Sequence, residues 1–98
     1  MTIDIKRNAE ETVIEIVGRL DTTTAPILDK TVNEDLGDIT KLVLNLKGLE
    51  YISSAGLRVL LSAQKKMQKL GSMKVTNVCE TVMEVLEMTG FADILTIE

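Results

Sequence analysis

The chain has 98 residues, 11 Lys plus Arg against 15 Asp plus Glu, a net charge of −4, one cysteine, and neither histidine nor tryptophan. Without histidine there is no Ser-His-Asp or Cys-His machinery, no imidazole metal site and no phosphohistidine relay, and the lone Cys79 forms neither an internal disulfide nor a thiolate zinc cluster. At 45% hydrophobic and 27% charged residues, the chain is expected to form one domain, 1–98, around one aliphatic core, while its acidic balance and few aromatics argue against direct nucleic-acid binding.

The start, Met1 to Arg7, lacks the apolar stretch of a signal peptide, and no run approaches the length that spans a bilayer. A cytoplasmic protein without membrane insertion is expected. Thr2 to Lys6 alternates, as does Thr12 to Val17 with its β-branched residues, so the two segments read as an antiparallel hairpin across Asn8-Ala9-Glu10-Glu11. Gly18-Arg19-Leu20-Asp21 ends the second strand, and three threonines follow. Thr24, before Ala25-Pro26, has the place of an N-cap. Ala25, Leu28, Val32 and Leu36 then form a helical stripe closed by Gly37.

Lys41 to Leu46 is almost wholly apolar after its first residue, as in a strand buried on both faces, with a turn expected at Gly48. A second helix starts near Ser53 or Ser54, with Gly56, Leu60, Ala63, Met67 and Leu70 as its stripe and Leu57 and Leu61 widening it. Lys65, Lys66 and Lys69 complement the dipole of its last turns, and Gly71 has the place of a C′ glycine. Met73 to Val78 alternates as a strand. Thr81-Val82-Met83-Glu84 matches a capping box opening a third helix, with Val82, Val85 and Leu86 inward. Gly90 ends it, and Ile94 to Ile97 reads as a last strand. The order β-β-α-β-α-β-α-β implies an α/β fold: a mixed sheet with right-handed crossovers and helices packed on it.

One segment can carry chemistry. Tyr51-Ile52-Ser53-Ser54-Ala55-Gly56-Leu57-Arg58 joins the most apolar strand to the second helix, the kind of junction where α/β sheets meet ligands and partners. First-turn amides and the helix dipole favour an anion there. If Ser53 accepts from those amides, Ser54 falls at the first helical position with its hydroxyl free, and Arg58 lies four residues on along the same face. A plainer reading stands beside this one: a serine that only caps, a Gly56 that only lets helix and sheet approach, and an Arg58 that is only a solvated charge. Asp21 with Thr22, Thr23 and Thr24 is either a turn and a cap or a polar rim beside Ser54. Cys79 reads as a small apolar residue, and Asp29, Glu34, Asp35 and Asp38 as a solvated helix face with no acid/base pair. Met73 and Met88 are the methionines expected at the surface.

Gly18-x-Leu20-Asp21, Leu44-Asn45-Leu46, Tyr51-Ile52-Ser53-Ser54-Ala55-Gly56-Leu57 and Thr89-Gly90-Phe91 together resemble a STAS domain, and more narrowly a stand-alone bacterial anti-sigma factor antagonist. The resemblance runs the whole length in the right order. It implies partner switching: the unphosphorylated antagonist binds an anti-sigma factor that is also a serine kinase, which frees a sigma factor. The kinase phosphorylates the serine at the helix start, and a serine phosphatase restores it. On the matching position that serine is Ser54. Well-known relatives have Asp where this chain has Ser53, which leaves Ser53 as a second acceptor. The partner surface expected from the resemblance comprises Asp21, Thr22, Thr24, Ser53, Ser54, Gly56 and Arg58, on a monomer or weak dimer that needs no cofactor or metal and is not an enzyme. A transporter accessory module and a stressosome-like scaffold subunit are the alternatives within the same fold.

Overall fold

The computed structural model describes residues 1–8 and 10–98; Ala9, in the loop expected between the first two strands, lies outside the described residues. Strands β1 (Thr2–Arg7), β2 (Thr12–Leu20), β3 (Lys41–Ile52) and β4 (Ser72–Thr76) form a sheet in the order β1-β2-β3-β4. The first pair is antiparallel, as the alternating segments predict, and the other two pairs are parallel. Helices α1 (Ala25–Lys30), α2 (Ser54–Leu70) and α3 (Glu80–Met88) follow β2, β3 and β4. Because each crossover steps one strand in the same direction, right-handed connections bring all three helices to one face.

Burial follows from that arrangement. Ile14, Ile16, Leu42, Leu44, Leu46 and Val75 are buried with Leu28, Leu60, Met67, Val82 and Leu86 in one apolar cluster. The other sheet face is open: Asp4, Lys6, Val17 and Lys47 are exposed there. Thus β3 is buried mainly on one side rather than on both. Val43 is its buried residue on the open side, in register with Val13 and Lys74, and Val13 is in register with Lys6.

Strand β3 runs past the turn expected at Gly48. Between Glu15 and Val17 of β2 it advances from Asn45 to Gly48, and between Gly18 and Arg19 it advances from Leu49 to Tyr51. Each step is a bulge with one extra residue. Asn45 Oδ1 accepts from the Lys47 N–H at 3.0 Å inside the first, and Gly48 leaves room for Val17, whose Cγ2 would lie 2.7 Å from an added Cβ.

The first helical stripe is correct, with Ala25, Leu28, Val32 and Leu36 all buried, but residues Thr31–Asp35 widen into a π-helix. Leu28, Val32 and Leu36 recur every four residues, which suits winding looser than 3.6 per turn. Lys66 Nζ of α2 donates to the Val32 carbonyl of this segment at 2.7 Å. In α2, Val59 and Gln64 join the buried face while Leu70 is 45% exposed. Met73 is buried and Met88 is 86% exposed, so only the second of the two is at the surface.

The capping box at Thr81 does not form. Helix α3 begins at Glu80 with Cys79 at the N-cap and no side-chain cap, and the Cys79 thiol donates instead to the Leu49 carbonyl, with Sγ 3.3 Å from the oxygen. The last strand is reduced to one bridge, Ile97 beside Val75. A 3₁₀ turn at Phe91–Asp93, followed by the Leu95 N–H to Phe91 carbonyl bond, keeps Ile94 and Leu95 out of the sheet. Among the described residues no helix is long and apolar enough to cross a membrane.

Gly71 has its predicted place, for a reason other than handedness. Its φ is 165°, and a Cβ would sit 1.9 Å from the Thr40 carbonyl oxygen, while Ser72 N–H donates to that same oxygen at 2.8 Å. Gly71→Ala is expected to cost about 3 kcal/mol by overpacking against the backbone, seen as a lower urea midpoint; an unchanged midpoint would contradict this packing.

Candidate functional site

Strands β2 and β3 end side by side, with Leu20 in register with Ile52 and both buried. The Ser53 N–H donates to the Leu20 carbonyl at 2.9 Å, carrying the ladder one residue beyond the strand. Both chains then turn into helices, so the starts of α1 and α2 flank one tip of the sheet.

On the β2 side, Asp21 organises the turn. Its Oδ1 accepts from the Thr23 N–H at 3.0 Å, the Thr23 hydroxyl at 2.7 Å and the Thr24 N–H at 3.1 Å, and its carbonyl accepts from the Ala25 N–H at 2.8 Å. Thr24 stands at the N-cap of α1 but makes no side-chain capping bond. Its hydroxyl donates to the Arg19 carbonyl and accepts from the Asp21 N–H, each at 2.8 Å. The cap expected of Thr24 is therefore supplied by the Asp21 carboxylate, and Thr24 braces the turn from inside. The Thr23 hydroxyl bond, with help from the Thr24 and Thr23 amides, holds the Asp21 carboxyl below the usual carboxylate range against a smaller opposing effect of desolvation. On the open side of the same strand ends, the Arg19 guanidinium lies over the Tyr51 ring at 4.1 Å from its centroid and its Nε is 3.9 Å from Asp21 Oδ2.

On the β3 side, Ser53 is extended (φ −98°, ψ 176°) and caps α2 through its side chain, accepting from the Gly56 N–H at 3.4 Å. Ser54 is the first helical residue and exposed; among the described residues nothing hydrogen-bonds its hydroxyl. No acidic residue occupies the first turn of α2, so the positive end of its dipole has no counter-charge within that turn. Gly56 is buried. A Cβ there would lie 2.7 Å from Leu20 Cγ and 2.9 Å from Ile52 Cγ1. Its part in the site is to let α2 seat on the strand ends, not to present a surface.

Between the two helix starts runs a groove of about 330 Å³ lined by Thr22, Ala25, Pro26, Asp29, Ala55, Arg58 and Val59. Ile27, 55% exposed, follows Pro26 on α1. The structure thus brings Thr22 and Arg58 to one groove beside Ser54, and places Asp21 and Ser53 as the caps that shape its ends. Ala25, Pro26, Asp29, Ala55 and Val59 of the lining were not among the site residues expected from the sequence. Parallel pairing of β2 with β3 was the signal that could have added them, because it sets both helix starts side by side.

The STAS domain family profile matches residues 2–98. Over 98 residues the chain is 30% identical to the anti-sigma-B factor antagonist of Bacillus subtilis (strain 168), covering 99% of this chain and 90% of that protein. It superimposes on the crystal structure of an anti-sigma factor antagonist from Mycobacterium paratuberculosis with a TM-score of 0.88, at 22% identity, over 98% of this chain and 83% of that one. With the phosphorylated form of the Bacillus cell fate determinant SpoIIAA the TM-score is 0.76, at 18% identity, over 99% and 91% of the two chains. The chain belongs to the STAS domain family.

The two serines separate by stability. Ser53→Ala is expected to cost about 0.5–1 kcal/mol through the lost cap, and Ser54→Ala to stay within about 0.5 kcal/mol of the parent in urea unfolding; equal losses would contradict the assignment. Asp21 gives a pH signature. Its folded-state carboxyl is the more acidic, so its charge stabilises the fold above about pH 4, the unfolded value, and that stability is lost as pH falls through the lowered folded value. The stability gap between the parent and Asp21→Asn should therefore be full at neutral pH and close on acidification, whereas a gap independent of pH would contradict the turn's electrostatics.

Proposed function

We propose that this chain is an anti-sigma factor antagonist whose binding tip is switched by phosphorylation of Ser54. The observation that carries the reading is the division of labour at the start of α2: Ser53 caps the helix, and Ser54 stands exposed, next in sequence to Ala55 of the groove lining. Membership of the STAS family and the 30% identity to the Bacillus subtilis anti-sigma-B factor antagonist support the choice of partner class.

In the unmodified state, the groove and the exposed Ser54, Thr22 and Arg58 form the surface for an anti-sigma factor with serine kinase activity, and occupying that factor frees a sigma factor. The chain supplies no catalytic group. The Ser54 oxygen attacks the γ-phosphorus of ATP held by the kinase, the bond to the β-phosphate oxygen breaks, ADP leaves, and the hydroxyl proton passes to the kinase's base. The product carries about −1.5 to −2 charges and three acceptor oxygens. At the open helix start this group is tolerated by amides and dipole, so the domain stays folded. At a closely packed interface it demands desolvation and repels carboxylates. Binding is lost with little change of shape, and a serine phosphatase restores it. The whole cycle is a cytoplasmic one, and residues 1–98 act in it as one domain.

The test uses a candidate anti-sigma factor kinase from the same organism. With ATP, phosphate should appear on Ser54 and vanish in Ser54→Ala, and Ser54→Asp should bind the kinase at least about tenfold more weakly, about 1.4 kcal/mol. Label confined to residues away from the Ser53–Ser54 junction, or undiminished binding by Ser54→Asp, would overturn the reading.

A further inference from the structure

We infer that Arg58 is the internal counter-ion of a phosphate on Ser54, so that modification not only adds charge to the tip but also withdraws the cation from the partner groove. The inference rests on the phosphorylation reading above and names the residue through which it acts.

Ser54 and Arg58 are both exposed on α2, four residues apart, where Cβ atoms lie about 5–6 Å from each other and long side chains meet. Arg58 is uncommitted. The ion pairs among the described residues are Lys6–Glu15, Arg19–Asp21 and Lys74–Glu98. The other cation near the tip, Arg19, is already stacked on Tyr51 and beside Asp21. Within the groove Arg58 is the cationic residue of the lining and Asp29 the anionic one.

The unmodified helix start leaves two charges unanswered. The first turn carries no acidic residue, and an arginine one turn in adds positive charge near the positive end of the dipole. A phosphate on Ser54 answers both. It offers a planar guanidinium the paired oxygens it binds best. The same movement draws the Arg58 side chain out of the groove toward the helix start. A partner carboxylate that pairs with Arg58 in the unmodified state then loses its cation and meets a dianion, so one modification removes an attraction and installs a repulsion.

The charged residues on the groove and at the strand ends are Arg58 and Asp29 in its lining, Asp21 and Arg19 at the end of β2, and Glu50 near the end of β3. Only Arg58 combines positive charge with freedom to move. The test is the second ionisation of phosphoserine followed by phosphorus NMR on the full chain, with phosphoserine installed at position 54 during translation so that neither kinase nor partner is required. Its midpoint is expected roughly 0.5 pH unit lower in the parent than in Arg58→Ala. Arg58→Lys, which keeps the charge but loses the fork, should fall between them, and about 1 M salt should narrow the difference. Both substitutions are at an exposed position, and circular dichroism verifies folding. Parent and Arg58→Ala midpoints within about 0.1 unit of each other would overturn the inference while leaving the kinase labelling of Ser54 untouched. Conversely, failed labelling with a shifted midpoint would sink the proposed function and not the pair.

Discussion

The close approach of Gly56 to the paired ends of β2 and β3 is the contact on which the rest of the tip depends. Leu20 and Ile52 sit in register at the strand ends, and a side chain at 56 would overlap both as well as the Leu20 carbonyl. With hydrogen in place of Cβ, the first turn of α2 rests directly on the sheet. Three consequences follow. The Ser53 N–H stays within reach of the Leu20 carbonyl. The buried stripe from Leu57 through Met67 joins the same core cluster as Leu44 and Val75. Ser54 is left exposed at the first helical position. A glycine buried in the core thus decides where an exposed serine stands.

Two caps of different chemistry then shape the same tip. On one side a carboxylate, Asp21, gathers amides and hydroxyls and keeps its charge. On the other a neutral serine accepts one long bond and leaves the helix start positive. The groove between them therefore has an anionic end satisfied internally and a cationic end that is not. Under the proposed function, a phosphate on Ser54 would fall on the unsatisfied side. On that reading the asymmetry would make modification compatible with the fold and hostile to a partner built for the unmodified charge pattern.

Much of this was legible in the chain. Alternation marked β1 and β2, and four-residue spacing marked the buried face of the first helix. The pair Ser53-Ser54 before Gly56 marked both the cap and the residue beyond it. What was not legible was set by contacts that a segment's own pattern does not show, some distant in sequence and some within one turn. Gly48 reads as a turn, yet two bulges absorb extra residues because β2 continues alongside. Thr24 reads as a cap until the Asp21 carboxylate is placed three residues upstream in space as well as in sequence. The Thr81 capping box fails because the Cys79 thiol is drawn to the Leu49 carbonyl, starting α3 early. Ile94 to Ile97 has strand composition, but the 3₁₀ turn after Gly90 leaves Ile97 alone beside Val75. The groove itself has no local signature, since its walls come from two helices joined only through the sheet.

The central claim is that modification of Ser54 changes the surface of the tip and not the fold beneath it. Amide chemical shifts of the full chain with serine and with phosphoserine at position 54 measure this most directly. Changes are expected from Asp21 to Asp29 and from Ser53 to Val59, with the amides of β1, β4 and α3 unmoved. Shifts spread through β1, β4 and α3, or loss of dispersion on modification, would contradict it.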